Sequence, residues 1–267
     1  MKDWIFVSDA HFTGKKQGAE GMESFLRFLN SQKDRIGVLV ILGDLFEFLF
    51  GFEKNSSPDS AFPFPDYLPV LRALRRLAAS GVRIKYFEGN HDFRIAPFFR
   101  DWFNMEIEVY SGASEEAFGS KRSFIAHGDL SNPHGPGQWK YRFYRRVLKN
   151  PWTYRLIQWV GPRRAQWIAS KMGHKSYEVY HARRKQGLLP GFHSFAHQKF
   201  LEGFDVVILA HSHFPERIEG VVQGKNRLYV NVGDWLIHRS YVRWRPPDHF
   251  ELNRFACNSD FSHQTPD

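Results

Sequence analysis

The sequence lacks the features that build disulfide frameworks and membrane-spanning helices. Cys257 is the only cysteine among the 267 residues, which excludes an internal disulfide framework and argues against a structural zinc site built on thiolates. No apolar run approaches the roughly 20 residues that span a bilayer. A single cysteine indicates a reducing compartment, and a predicted strand at residues 4–7 leaves no room for a signal peptide. We therefore expect a cytoplasmic protein.

Basic residues outnumber acidic residues, and the excess of positive charge lies in one segment. The chain has 37 Lys and Arg against 28 Asp and Glu, giving a formal net charge of +9. Between residues 138 and 185, thirteen basic residues are opposed only by Glu178, so that segment carries +12 and the remainder of the chain is acidic overall. Trp, Tyr and Phe are interleaved with these cations. The segment is therefore a candidate surface for an anionic partner.

Five short apolar runs, each typical of a buried strand, alternate with helical patterns. The runs occupy residues 4–7, 38–42, 84–87, 123–126 and 206–209. Residues 22–30 and 68–79 show apolar side chains at helical spacing. This alternation predicts an α/β domain whose sheets are covered by helices. We place the catalytic domain at 1–136 and 188–256, a basic, aromatic helical cap insertion at 137–187, and a flexible tail at 257–267.

A polar cluster that can bind metal follows each of the five apolar runs. In chain order the clusters are Asp9-Ala10-His11, Gly43-Asp44, Gly89-Asn90-His91-Asp92, His127-Gly128-Asp129 and His211-Ser212-His213. In α/β folds, sites collect at the carboxyl ends of strands, so we expect these clusters to meet. Each cluster alone is common in ordinary turns, but the ordered set predicts a site for two divalent ions.

The residue types suit two ions that share a bridging oxygen and hold a phosphoryl group between them. Asp44 is the candidate bridge, because the two oxygens of a carboxylate can bind different ions. The other candidate ligands divide into two sets, Asp9, His11 and His213 for one ion and Asn90, His127 and His211 for the other. Imidazole combined with carboxylate and amide oxygen favours Mn²⁺, with Fe or Zn²⁺ as alternatives.

The ordered clusters resemble the pattern of the calcineurin-like metallophosphoesterase superfamily, which is Asp-x-His, Gly-Asp, Gly-Asn-His-Asp/Glu, His and Gly-His-x-His. The chain departs from it at Ala210, where Gly is usual. Within the superfamily the chain is most similar to the UDP-2,3-diacylglucosamine pyrophosphatases of lipid A synthesis. That similarity rests on Leu-Gly-Asp-Leu-Phe-Glu-Phe at 42–48, Gly-Asn-His-Asp-Phe at 89–93, His-Gly-Asp at 127–129 and Val-Gly-Asp-Trp at 232–235.

The resemblance implies a fold and a reaction. The fold is a four-layer α-β-β-α sandwich of the metallophosphoesterase type. The reaction is metal-dependent hydrolysis of the pyrophosphate bond of UDP-2,3-diacylglucosamine to UMP and 2,3-diacylglucosamine 1-phosphate. His91, where some members have Arg, would act on the phosphate as electrophile or proton donor, oriented by a hydrogen bond to the carboxylate of Asp92. Candidate substrate contacts are Asn90 and His211 beside the metals and, in or near the cap, His134, Lys171, Lys175 and Ser176.

The cap is open to three interpretations. Its aromatic and apolar residues fall at helical spacing in two sets, Trp139, Phe143 and Val147, and Trp152, Leu156 and Trp159. They could form a core of the cap's own, contact anionic membrane lipid, or stack on single-stranded nucleic acid. The resemblance favours lipid, so we expect peripheral contact with the inner face of the cytoplasmic membrane, no nucleic acid and no obligate protein partner. A phosphoesterase for another phosphodiester or phosphomonoester, a nuclease, and a binding scaffold on an inactive site are the alternatives.

Overall fold

The structure, a computed structural model, describes residues 2–13, 16–54, 62–131, 138–148, 150–162, 164–165, 167–168 and 189–256. Its strands are β1 (Asp3–Val7), β2 (Ile36–Ile41), β3 (Leu49–Phe50), β4 (Arg83–Phe87), β5 (Asp92–Phe93), β6 (Glu108–Tyr110), β7 (Ser114–Phe118), β8 (Lys121–Ile125), β9 (Val206–Leu209), β10 (Glu216–Val222), β11 (Lys225–Asn231), β12 (Ser240–Arg245) and β13 (His249–Arg254). Its helices are α1 (Lys16–Gln32), α2 (Leu68–Ala79), α3 (Ile95–Phe103), α4 (Gln138–Leu148), α5 (Pro151–Val160) and α6 (Leu189–Leu201).

Most of these strands lie in two mixed sheets. One sheet has the order β13-β12-β1-β2-β4-β6 and the other has the order β10-β11-β9-β8-β7, while β3 and β5 pair separately. In the first sheet β1, β2, β4 and β6 are parallel. In the second sheet β8, β9 and β11 are parallel. Because parallel neighbours end at the same edge, each sheet gathers the loops that follow its central strands at one edge.

Alternate side chains of the central strands pack into different cores, and this alternation defines the layers. In β1, Phe6 packs between the two sheets, whereas Val7 packs with apolar residues of α1, α2 and α3. In β9, Ile208 packs between the sheets, whereas Leu209 packs against Phe192 of α6. The layers are therefore three helices, the six-stranded sheet, the five-stranded sheet and α6. This order confirms the predicted four-layer α-β-β-α sandwich.

The predicted strands correspond to β1, β2, β4, β8 and β9, and the predicted helices to the middle of α1 and to α2. The sequence analysis did not predict the other strands, among them β3 and β5, a parallel pair in which Leu49 is the partner of Asp92. Strands of two residues are too short to show a periodic pattern, and they form because the loops after β2 and β4 run side by side. The predicted tail, 257–267, lies outside the described residues.

Helices α4 and α5 belong to the predicted cap and attach to the catalytic layers. From α5, Tyr154 Oη and Gln158 Nε2 donate hydrogen bonds to the carbonyl of Gly51, at 2.9 and 2.8 Å. From α4, Arg145 Nη1 lies 3.3 Å from Asp129 Oδ2, and both side chains are buried. The division at 137–187 stays a prediction. None of the helices in the described ranges is both long and apolar enough to cross a bilayer.

Candidate two-metal site

The five polar clusters meet at one edge of the sandwich, at the carboxyl ends of β1, β2, β4, β8 and β9. Main-chain hydrogen bonds join neighbouring loops, since the Asp9 N–H donates to Gly43 O (3.1 Å) and the His11 N–H donates to Asp44 O (3.0 Å). Across the two sheets, the His211 N–H donates to the Asp9 carboxylate at 3.0 Å, joining residues 202 positions apart. The loops of both sheets therefore form one continuous wall.

The three side chains assigned to one ion form a close group. His213 Nε2 lies 2.9 Å from Asp9 Oδ1 and 3.3 Å from His11 Nε2. The His11 and His213 rings are stacked, with their centroids 5.0 Å apart. One ligand atom from each residue lies within 4.8 Å of the other two. A single ion can contact all three atoms at this spacing.

The three side chains assigned to the other ion converge on His127. Its Nε2 lies 3.3 Å from Asn90 Oδ1 and 3.1 Å from His211 Nδ1. The same nitrogen lies 3.4 Å from Asp44 Oδ2. His127, which all three contacts share, is almost completely buried.

Two carboxylates lie within reach of both groups of candidate ligands. Asp44 Oδ2 is 3.4 Å from His127 Nε2 and 4.0 Å from His11 Nε2, which is the position that a bridging ligand requires. Asp9 also has an oxygen within 4.8 Å of the ligand atoms of Asp44, His127 and His211. The structure therefore brings together every residue that the sequence marked as a metal ligand, and the bridging role of Asp44 stays a prediction.

The loops that carry these side chains have an unusual backbone. A positive φ occurs at five of the candidate ligands, Asp9 (47°), His11 (45°), Asp44 (52°), His211 (65°) and His213 (57°). Residues other than glycine in this region cost about 1–3 kcal/mol each, and such residues cluster at functional sites. The surrounding layers therefore hold the ligands in conformations that the chain would not otherwise favour.

Two motif glycines are required by close approach. A Cβ on Gly89 would overlap the carboxylate of Asp44. A Cβ on Gly43, whose φ is 84°, would lie 2.7 Å from His127 Nδ1. Both contacts are closer than side-chain carbons tolerate, so these glycines leave the space that the central carboxylate and imidazole occupy.

Main-chain carbonyls fix the tautomers of two imidazoles. His127 Nδ1 lies 2.6 Å from Leu42 O, and His91 Nδ1 lies 2.6 Å from Glu47 O. A carbonyl oxygen can only accept, so each Nδ1 carries a proton and donates. In His127, Nε2 is then the ring nitrogen that faces the ligand group, an arrangement that outer partners of metal-binding histidines commonly ensure.

The charges of the site stabilise one another. Burial opposes ionisation of Asp44, but the imidazoles of His127, His91 and His11 together outweigh it and hold the pKa of Asp44 well below its usual range. Burial also opposes a charge on His127, yet Asp44 raises the pKa of His127 to about 10. For His11, burial is again outweighed, and contacts with Asp9 and Glu47 raise its pKa to about 10. The carboxylates thus stay anionic and favour positive charge between them, which divalent ions would provide.

One buried oxygen has the surroundings of a cation ligand. Asp9 Oδ1 is buried and accepts no hydrogen bond from the described residues, although His213 Nε2 lies 2.9 Å away. An anionic oxygen buried without a donor is costly unless a cation contacts it. The donor set of imidazole nitrogen, carboxylate oxygen and amide oxygen is accepted by Mn²⁺, Fe and Zn²⁺. The residues therefore fit a pair of divalent ions.

The prediction that Asp92 orients His91 is wrong. Asp92 Oδ2 accepts hydrogen bonds from the main-chain N–H groups of Asp44 (2.6 Å) and Gly89 (3.3 Å), and Oδ1 accepts from the hydroxyl of Tyr86 (3.2 Å). Burial, together with the nearby Asp44 carboxylate, raises the pKa of Asp92 to about 8. Asp92 therefore joins the loop after β2 to the loop after β4, and a catalytic role for it stays a prediction.

Sequence reasoning also missed two acidic residues at the site. Glu47 Oε2 lies 3.4 Å from His11 Nδ1. Asp234 Oδ2 lies 3.0 Å from His238 Nδ1 and 3.9 Å from His213 Nδ1. Both stand in sequence runs that carried the family resemblance, and Asp234 follows a strand as the ligand aspartates do.

The predicted substrate contacts divide into two sets. Asn90 and His211 lie within the ligand group described above. The remaining candidates, His134, Lys171, Lys175 and Ser176, lie outside the described residues, and their contacts stay predictions.

Comparison with known proteins shows the family of this chain. The sequence profile described as calcineurin-like phosphoesterase matches residues 5–215, and the chain belongs to this family. A UDP-2,3-diacylglucosamine hydrolase of Aromatoleum aromaticum is 25% identical over 246 residues, covering 90% of this chain and 92% of that protein. A protein of the same name from Photorhabdus laumondii is 29% identical over 233 residues, covering 86% and 90%. Among solved structures, Vps29 of Chaetomium thermophilum aligns over 95% of this chain and 96% of its own, with a TM-score of 0.41 and 11% identity.

Family membership confirms two predictions made from the sequence. The protein is a phosphoester hydrolase, and its fold is that of the metallophosphoesterases.

Proposed function

We propose that this phosphoesterase is a two-metal hydrolase that cleaves the pyrophosphate bond of UDP-2,3-diacylglucosamine, releasing UMP and 2,3-diacylglucosamine 1-phosphate. The names of relatives that align along most of both chains support this substrate. The reaction class is supported by the convergence of the candidate ligands around Asp44, and this convergence is the observation that carries the proposal.

The ligands would be shared between two ions. Asp44 would be shared by both ions, Asp9, His11 and His213 would hold one ion, and Asn90, His127 and His211 would hold the other. Mn²⁺ is the preferred candidate, with Fe or Zn²⁺ as alternatives. When bound, such a pair supplies an activated water at neutral pH and withdraws charge from the phosphoryl oxygens.

His91 is the side chain that would contact the reacting phosphate. Its ring lies edge to face with that of His11, with centroids 4.8 Å apart, and its main-chain N–H donates to Asp44 Oδ1 at 2.9 Å. Because Nδ1 donates to the Glu47 carbonyl, only Nε2 is available to the substrate. A protonated ring can donate from Nε2 to a phosphoryl oxygen and stabilise the charge that develops there.

The outward faces of the cap helices support contact with a membrane surface. On α5, Trp152, Leu156 and Trp159 are 74, 58 and 81% exposed, and on α4, Trp139 and Phe143 are 71 and 65% exposed. Contiguous apolar side chains of this size in water mark an interaction site.

The charges beside these apolar side chains suit anionic lipid. Lys140, Arg142, Arg146 and Arg155 are exposed on the same two helices. Cations near an anionic membrane surface contribute about 1 kcal/mol each, and Trp side chains favour the interface. We propose that the cap rests on the inner face of the cytoplasmic membrane and receives an acylated substrate from it.

Three substrates offered in parallel test the assignment, namely UDP-2,3-diacylglucosamine in mixed micelles, bis(p-nitrophenyl) phosphate and single-stranded DNA, each with Mn²⁺. We expect rapid release of UMP from the first, slow hydrolysis of the second and no cleavage of DNA. Asp44→Asn keeps the shape of the bridging residue but removes its charge, so both activities should be lost. Cleavage of DNA alone, with steep salt dependence, would indicate a nuclease. Hydrolysis of the nitrophenyl diester alone would indicate a phosphodiesterase with another substrate.

A further inference from the structure

Glu47 contacts both an imidazole of the first ligand group and the imidazole proposed to contact the phosphate. Its Oε2 lies 3.4 Å from Nδ1 of His11, and its main-chain oxygen lies 2.6 Å from Nδ1 of His91. The two rings pack edge to face. Both contacts use Nδ1, so they leave Nε2 of each ring for an ion or a substrate.

Main-chain hydrogen bonds hold Glu47 in a fixed register with the loop after β1. The Glu47 N–H donates to Phe12 O at 3.1 Å, and the Phe12 N–H donates to Leu45 O at 3.0 Å. On the other side, the Leu49 N–H donates to His91 O at 2.9 Å. Because the segment is held from both sides, the fold itself brings the Glu47 side chain to the outer edge of the ligand group.

The carboxylate and the main-chain oxygen of Glu47 decide which nitrogen His11 and His91 present to the site. Carboxylate and carbonyl oxygens only accept, so Nδ1 of His11 and Nδ1 of His91 carry protons. His11 then presents Nε2 to the first ligand group, where His213 Nε2 lies 3.3 Å away. A carboxylate behind a metal-binding imidazole fixes the ring and increases its basicity, and its loss typically costs about 10- to 100-fold in metal affinity or activity.

We propose that Glu47 is a positioning residue for both functions of the site: its carboxylate orients His11 toward an ion, and its main-chain oxygen orients His91 toward the phosphate. The inference rests on the proposed metal dependence and not on the identity of the substrate. Only the contact with His11 depends on the side chain. Substitution of Glu47 therefore separates metal binding from phosphate contact.

Calorimetric titration of the full-length protein with Mn²⁺ measures the role of the side chain without turnover. The binding step that involves His11 is identified as the step lost in His11→Ala. We expect Glu47→Ala to weaken that step by about 10- to 100-fold. Glu47→Gln should weaken it less, because its amide oxygen can still accept from the imidazole. Glu219→Gln is the matched control, since it removes an exposed carboxylate paired with Arg217 and should leave Mn²⁺ binding unchanged.

Hydrolysis of bis(p-nitrophenyl) phosphate at increasing Mn²⁺ concentration gives a second readout. The main-chain contact with His91 persists in Glu47→Gln, so kcat at saturating Mn²⁺ should approach that of the wild type while half-saturation requires more Mn²⁺. A merely structural role would lower the thermal stability of the metal-free protein and leave its Mn²⁺ affinity unchanged, which would overturn the proposal. If the wild type binds no Mn²⁺, the proposed metal dependence itself fails, and that result is distinguishable from unchanged affinity in Glu47→Ala.

Discussion

Replacement of both Trp152 and Trp159 by Ala tests whether α5 rests on a membrane. The two rings are 74 and 81% exposed. The attachment of α5 to the catalytic layers uses other residues, because Tyr154 and Gln158 hydrogen-bond to the Gly51 carbonyl. The substitutions therefore remove apolar surface on the solvent side and leave the attachment of the helix intact.

The expected magnitude follows from the exposed area of the two rings. An aromatic side chain offers about 150–250 Å², of which roughly three quarters is exposed here, so complete burial of one ring would contribute about 3–5 kcal/mol at about 25 cal/mol per Å². A helix in the interface plane buries only its apolar face, so we take half of the value for complete burial. The membrane-binding free energy is then about 2 kcal/mol per ring. Both rings together give about 4 kcal/mol, which corresponds to a loss of up to about 1000-fold in membrane partitioning.

Cosedimentation with vesicles of phosphatidylcholine and phosphatidylglycerol measures this partitioning. The wild type should bind these vesicles, bind pure phosphatidylcholine less, and dissociate as salt screens the cap cations. Val221→Ala is the control, because it shortens a side chain that is 68% exposed on β10 and should not change binding. Equal partitioning of the double variant and the wild type would show that α5 is not the membrane contact. If the double variant lost affinity for single-stranded DNA instead, the cap would be a nucleic-acid surface.

Three further perturbations test other parts of the site. Gly89→Ala places a Cβ against the Asp44 carboxylate, so Mn²⁺ retained in equilibrium dialysis should fall; undiminished retention would contradict the packing argument. Arg145→Ala removes the guanidinium that pairs with the buried carboxylate of Asp129, and loss of one member of a buried pair costs about 3–5 kcal/mol. The thermal midpoint should therefore fall further than in Lys199→Ala, whose ion pair lies at the surface; equal midpoints would show the buried pair to be dispensable. Removal of divalent ions with EDTA should abolish turnover, and Mn²⁺ should restore it without a change in circular dichroism; full activity of the stripped protein would refute metal dependence.

The framework of the site was predictable because each polar cluster directly follows an apolar run of strand length. In β9, Val206 to Leu209 are all apolar and fully buried. The first polar residue after them is His211, so the end of the run is visible in the sequence. Parallel neighbours end at one edge, and the order of the clusters along the chain then places Asp9, Asp44 and Asn90 side by side. The four-layer fold itself was inferred from the family resemblance and not from periodicity.

The contacts behind the ligands were not predictable from the sequence. Asp92 accepts from the main-chain N–H groups of Asp44 and Gly89, and no pattern around residue 92 indicates that these amides lie together. The contact of Glu47 with His11 likewise depends on main-chain pairing between two loops. A sequence shows which side chains share a strand or a helix face. It does not show which amide of another loop a carboxylate meets.

The cap helices and the candidate metal ligands are attached to the same loops, so a cap that rests on a membrane would also affect the position of the candidate ligands. Asp129, two positions after the candidate ligand His127, contacts Arg145 of α4. Gly51 directly follows β3, accepts from Tyr154 of α5, and lies beside the strand that begins immediately after His91. If α5 rests on the bilayer, the double tryptophan variant should hydrolyse vesicle-embedded substrate slowly and bis(p-nitrophenyl) phosphate at the wild-type rate. An equal loss of both activities would show that α5 acts on the metal site through these loops and not by holding the enzyme at a membrane.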